Sequence, residues 1–107
     1  GELDGKRYLK AETVKLMRTL ATGDLKAGFV PGSGWGLGVV LVREPQGATA
    51  DLSSGTFGHG GAWGTQVWID PARKVAYVLM IQRTDLGNAD GSEVRRAFQS
   101  SAAAALR

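Results

Sequence analysis

Thr65-Gln66-Val67-Trp68-Ile69, then Asp70-Pro71-Ala72-Arg73-Lys74, then Val75-Ala76-Tyr77-Val78-Leu79-Met80-Ile81-Gln82, is the stretch that decides the fold. Its first and last parts are rich in β-branched and aromatic residues, which suit the pleated surface of a strand. Between them lies a loop short enough for a hairpin, with Pro71 placed to set the turn. Two strands joined so tightly run antiparallel, because a parallel return needs a long crossover. Val75–Ile81 is apolar on both faces, so it is expected inside a sheet that is covered on both sides.

Working outward, Trp35 to Val42 reads as a further strand, with Trp35, Leu37, Val39 and Leu41 on one side. Gly36 and Gly38 fall on the other side, where a second element is expected to pack closely. Before it, Gly28 to Gly34 reads as a loop around Pro31-Gly32-Ser33-Gly34. Residues 11–21 read as an amphipathic helix, with Val14, Met17, Leu20 and Ala21 forming the stripe and Gly23 the stop. Residues 43–56 read as a connection. At the far end, the link Asp85–Gly91 leads into a closing helix. Asp90 stands three residues before Glu93 as a variant capping box. Val94, Ala97, Phe98, Ser101, Ala102, Ala105 and Leu106 are its expected packing face. The order of helix, four strands and helix predicts an α+β fold, an antiparallel sheet packed against N- and C-terminal helices.

The chain has 107 residues, 16 of them glycine, with no cysteine and one histidine. Absence of cysteine excludes disulfides, zinc ribbons and thiol nucleophiles. No apolar run reaches the ~20 residues of a membrane helix. The net charge of +3 comes from basic residues scattered among carboxylates. They form no stripe with interleaved aromatics, so nucleic acid is not the expected partner. The spaced glycines Gly32, Gly34, Gly36 and Gly38 precede a strand and match no phosphate-binding loop. A single histidine without a supporting carboxylate cluster predicts no metal, and no cofactor motif is present. The opening Gly1-Glu2-Leu3-Asp4-Gly5 reads as the middle of a turn, so the chain is expected to begin inside a larger protein.

Gly58-His59-Gly60-Gly61-Ala62-Trp63-Gly64 is the stretch with chemical content. Glycines around His59 remove neighbouring side chains, so a substrate can approach the backbone and its N–H groups. The imidazole can donate or accept a proton near neutral pH. The same residues also suit a glycine-rich turn with a surface histidine, and residue chemistry leaves both readings open.

The ordered set His59-Gly60-Gly61, Gly64, Ile69-Asp70-Pro71 and Val75–Ile81 resembles the C-terminal part of the serine β-lactamase-related family. That family groups class C β-lactamases, D-Ala-D-Ala carboxypeptidases and related esterases. Trp35-Gly36-Leu37-Gly38 is similar to its aromatic-Gly-Leu-Gly strand. Tyr8-Leu9, Thr13-Val14 and Met17 resemble the helix before it. The resemblance spans nearly the whole chain and corresponds to the last third or quarter of a family member. It implies that His59-Gly60-Gly61 stands for the family's Lys-Thr-Gly or His-x-Gly triplet on the strand lining the active site. His59 would then bind a substrate carboxylate or assist proton transfer, with Gly60 and Gly61 beside the substrate. The Ala62 N–H would be one oxyanion-hole donor, a group worth about 3–4 kcal/mol in the transition state. Trp63 would line the pocket wall or pack on the sheet.

The other catalytic boxes do not occur here. No serine is followed three residues later by lysine, and Tyr-x-Asn and Ser-x-Asn are both missing. The resemblance therefore implies an incomplete fold over residues 1–107, inactive alone. It would form part of a serine acyl hydrolase that acts on a small-molecule or peptidoglycan-like substrate and is exported to the periplasm or secreted. A stand-alone α+β binding or assembly module is the competing expectation. In the fragment reading the isolated chain would expose apolar surface and self-associate.

Overall fold

The computed structural model describes residues 1–25, 30–85 and 91–106. The chain opens with a hairpin of β1 (Glu2–Leu3) and β2 (Lys6–Arg7), followed by α1 (Ala11–Met17). Five strands follow: β3 (Ser33–Trp35), β4 (Val40–Val42), β5 (Phe57–Gly60), β6 (Gln66–Asp70) and β7 (Val75–Leu79). A 3-10 turn at Gly47–Thr49 separates β4 from β5, and α2 (Glu93–Ala104) closes the chain. The five strands form one antiparallel sheet in the order β3-β4-β5-β6-β7. The α+β class with an antiparallel sheet is borne out. No helix among the described residues is long and apolar enough to cross a membrane.

Several boundaries differ from the sequence expectation, each for a local reason. Trp35–Val42 is a hairpin rather than one strand. The Gly36 N–H donates to the Val39 carbonyl at 2.9 Å, and Gly38 takes φ +77. That conformation costs glycine little and reverses the chain. Gly38 is therefore a turn residue, and only Gly36 meets the expected close neighbour: a Cβ there would run into the Met17 carbonyl. The same carbonyl explains why α1 stops at Met17 and not at residue 21. It accepts from the Leu37 N–H at 3.0 Å, while the Ala21 N–H goes to the Trp35 carbonyl at 2.7 Å. The β3 edge thus takes the hydrogen bonds that another helical turn would have used. At the start, Asp4 and Gly5 both have positive φ, the turn that an Asp-Gly pair favours between two strands.

The closing helix also begins and faces differently. Ser92 is its N-cap, and the Ser92 side chain accepts from the Arg95 N–H. Asp90 and Asn88 lie outside the described residues. The buried residues are Arg95, Gln99 and Ala103, with Phe98 and Ala102 packed partly buried beside them. Ala97, Ser101, Ala105 and Leu106 are exposed. The true stripe is one position away from the alanine-led face because two long polar side chains point inward.

The two sheet faces are unequal. On one, Val40, Val42, Trp68 and Tyr77 form the core with Leu52, and α2 lies over it through Phe98 and Ala102. Trp68 and Tyr77 are cross-strand partners in the β6–β7 register, with Gly58 opposite Trp68 on β5. A Cβ at Gly58 would strike the Val67 carbonyl, so the strand must carry glycine there. On the other face, Val67 stands opposite Val78, and Ile69 opposite Ala76, all exposed. β7 is an edge strand whose Val78 is 51% exposed, not an interior strand covered on both sides. The chain exposes 6955 Å² in total. That is about a fifth more than the roughly 5,700 Å² expected of a compact monomer of this size.

Candidate active site

β5 carries the His-Gly-Gly box up to the point where the sheet opens. His59 pairs with Val67 and Gly60 with Gln66. The ladder continues one step further, with the Gly61 N–H donating to the Thr65 carbonyl at 2.7 Å. The chain then turns through Ala62, Trp63 and Gly64. The Gly64 N–H donates back to the Gly61 carbonyl at 3.1 Å, and Gly64 takes φ +95. A Cβ at Gly61 would meet the Thr65 hydroxyl, which would have to swing away.

His59 is exposed on the open face of the sheet. β4 begins at Val40, opposite Gly58, so no β4 residue pairs with His59. The Trp35 ring stands there instead, edge-on to the imidazole with 5.1 Å between centroids and 65° between planes. His59 Nδ1 lies within hydrogen-bond distance of the Gly60 carbonyl. A carbonyl only accepts, so that bond places the proton on Nδ1 and leaves Nε2 of the neutral ring as the basic nitrogen. Beside His59 a groove of about 280 Å³ runs along Thr65, Val67, Val78 and Met80. Its walls are mostly aliphatic.

Ala62 and Trp63 are both exposed, and Trp63 keeps 59% of its surface accessible. The Trp63 carbonyl accepts from the Arg83 N–H at 2.8 Å. The Ala62 N–H has no acceptor among the described residues. The five residues expected at the site, His59, Gly60, Gly61, Ala62 and Trp63, therefore lie along one strand end and its turn. Among the described residues, no cluster of three or more His, Asp or Glu side chains could hold a metal ion.

One residue of this region was not expected from the sequence. Arg95 of α2 is wholly buried, and its guanidinium reaches across to the turn. Its Nη2 donates to the Gly61 carbonyl at 2.7 Å and to the Thr65 carbonyl at 2.6 Å. Its Nε donates to the Gly64 carbonyl at 3.3 Å. The available signal was positional: Arg95, Phe98, Gln99, Ala102 and Ala103 recur at helical spacing. Lying next to Arg96 in a polar first turn, Arg95 reads in sequence as surface charge.

The matched family gives these residues a setting. Residues 1–101 match the family model described as Beta-lactamase. The chain belongs to the beta-lactamase family. Two relatives from Mycobacterium tuberculosis are similar to it, "Protein Rv1367c" from strain H37Rv and "Uncharacterized protein MT1414" from strain CDC 1551. Each is 35% identical over 92 residues, covering 77% of this chain and 23% of the relative. The chain thus spans about a quarter of the length of these relatives, 23% in each case.

Proposed function

We propose that this chain is the C-terminal segment of a serine acyl hydrolase, supplying the His-Gly-Gly strand and one oxyanion-hole donor to a nucleophile held elsewhere in the protein. The carrying observation is the Ala62 N–H, which has no acceptor among the described residues, at the end of the strand that bears His59. An exposed backbone donor next to a basic imidazole nitrogen suits a carbonyl substrate that develops negative charge on oxygen. Serine oxygen would attack the acyl carbon as a base takes the hydroxyl proton and later passes it to the leaving group. The electron pair of the C=O bond would move onto the oxygen facing Ala62. Collapse would expel the leaving group and leave an acyl-enzyme. Water would release it in a second cycle of the same chemistry.

His59 Nε2 is placed to bind a substrate carboxylate when protonated or to take a proton when neutral. Trp63 and the aliphatic groove beside His59 offer apolar surface to the acyl or leaving group. β-lactams, D-amino acid peptides and esters share this chemistry. The open face with Val67, Ile69 and Val78 supports the fragment reading over a stand-alone module, because a finished surface seldom carries such a row. The test is covalent labelling of the full-length protein with fluorescent penicillin and with a nitrophenyl ester. One labelled serine per protein is expected, with His59→Ala slowing acylation by about 10²-fold. No labelling by either reagent would remove the hydrolase reading.

A further inference from the structure

We infer that Arg95 is a positioning residue, which sets the direction and strength of the Ala62 N–H by holding the peptide group it belongs to. This rests on the oxyanion-hole reading above. The Gly61 carbonyl and the Ala62 N–H are two ends of one planar trans peptide unit, so they point in opposite directions. Fixing the carbonyl fixes the N–H. The Gly61 oxygen accepts from Arg95 Nη2 at 2.7 Å and from the Gly64 N–H at 3.1 Å, which occupies both of its lone pairs. Its carbonyl therefore faces α2, and the Ala62 N–H faces away from the helix.

The neighbouring carbonyl is held in the same way. The Thr65 oxygen accepts from Arg95 Nη2 at 2.6 Å and from the Gly61 N–H at 2.7 Å. One rigid guanidinium thus determines both ends of the turn between β5 and β6. Its charge has a second effect. A cationic donor on the Gly61 oxygen draws electron density through the amide, so the Ala62 N–H becomes a better hydrogen-bond donor. Lysine could supply the charge but not the fork, because an ammonium on a flexible stem cannot keep three carbonyls in one geometry. A neutral staple between helix and turn would need neither the charge nor this alignment.

The experiment compares Arg95→Lys with the unsubstituted full-length protein, and uses exposed Arg96→Lys as a control. Phenylboronic acid serves as the probe, since its serine adduct places an anionic oxygen where the tetrahedral intermediate would. Arg95→Lys is expected to lower kcat and boronate affinity together by about 10-fold, with KM within about twofold, because the lost interaction forms only in the transition state. A change confined to thermal midpoint, with kcat per labelled site and boronate affinity intact, would overturn the assignment and leave a structural staple. A second measurement needs no substitution. Backbone amide exchange by NMR in the unsubstituted protein should be fast at Ala62 and slow at Gly61 and Gly64, and a protected Ala62 amide would equally overturn it. If the unsubstituted protein takes up no acylating probe, the hydrolase reading fails, and amide exchange alone decides whether Arg95 directs this peptide.

Discussion

The two faces of the sheet each depart from the usual distribution of polarity. The face under α2 is closed, yet it buries Arg95, Gln99, Gln66, Thr56 and Asp70. The opposite face is covered at Leu41 but open over β6 and β7, where it presents Val67, Ile69 and Val78, with exposed His59 beside them on β5. Burying a polar group costs free energy unless its hydrogen bonds are made. On the closed face two of them tie loops down, whereas the Thr56 hydroxyl and Gln99 Oε1 have no partner among the described residues. Arg95 holds the turn after the box, and the Asp70 carboxylate accepts from the backbone N–H groups of Ser53 and Arg73 at 3.2 and 3.1 Å. The closed face fixes geometry, and the other leaves a row of apolar side chains exposed on β6 and β7. The proposed site lies where the two meet, at the end of β5.

Trp68→Ala should break the closed face most severely. Trp68 is 2% exposed and lies at the centre of the core cluster. Truncating a buried tryptophan costs about 3–5 kcal/mol, a large part of the stability of a small domain. Denaturant unfolding should lose most of its cooperative transition. A midpoint shift of less than about 1 kcal/mol would mean that the core is organised elsewhere.

Asp70→Asn comes next and carries a pH signature. Burial pushes the Asp70 carboxyl up. Hydrogen bonds from the Ser53 side chain and from the Arg73 and Ser53 backbones, with the Arg73 charge, more than offset it, and the net shift is downward. A group whose folded pKa lies below its unfolded value adds stability above the unfolded pKa. That stability is lost as pH falls through the folded value. The acid limb should therefore begin below about pH 4 and flatten in the variant. At neutral pH the substitution should cost about 1.5–3 kcal/mol, the scale of hydrogen bonds to a charged acceptor. Urea midpoints measured between pH 3 and 7 check both statements, and an unchanged acid limb would show that Asp70 is not the group responsible.

The same contrast explains what could be read from the sequence. The β6–β7 hairpin was legible because β-rich runs flank a proline turn, and the stretch of the proposed site stands out because His59 is alone among glycines. The covered side of α2 was not. Periodicity assigns the face by apolar residues, and Ala97, Ser101, Ala105 and Leu106 carried that signal while Arg95 and Gln99 took the buried positions. A buried arginine is identified by the carbonyls that meet it, here those of Gly61, Gly64 and Thr65, and these lie 34, 31 and 30 residues away along the chain. Gly38 and the end of α1 were missed for a related reason. Both depend on a competition for backbone hydrogen bonds between α1 and β3 that neither segment shows alone.

The smallest effect expected is also the one that discriminates best between the faces. Val78 is half exposed on β7, directly opposite Val67. Val78→Thr keeps the β-branched shape and exchanges a methyl for a hydroxyl, so strand preference hardly changes. In the 107-residue chain alone, stability should stay within about 0.5 kcal/mol, as for an ordinary surface site. Self-association in sedimentation should fall, because the apolar row is interrupted. In the full-length protein the same substitution would place a hydroxyl under covering chain, where an unpaired polar group costs about 1–3 kcal/mol. Equal, negligible costs in both contexts would mean that β7 faces water in each, and the open face would then be a true surface. A cost that appears only in the longer protein would identify this face as an interior one, with His59 at the seam between the two parts.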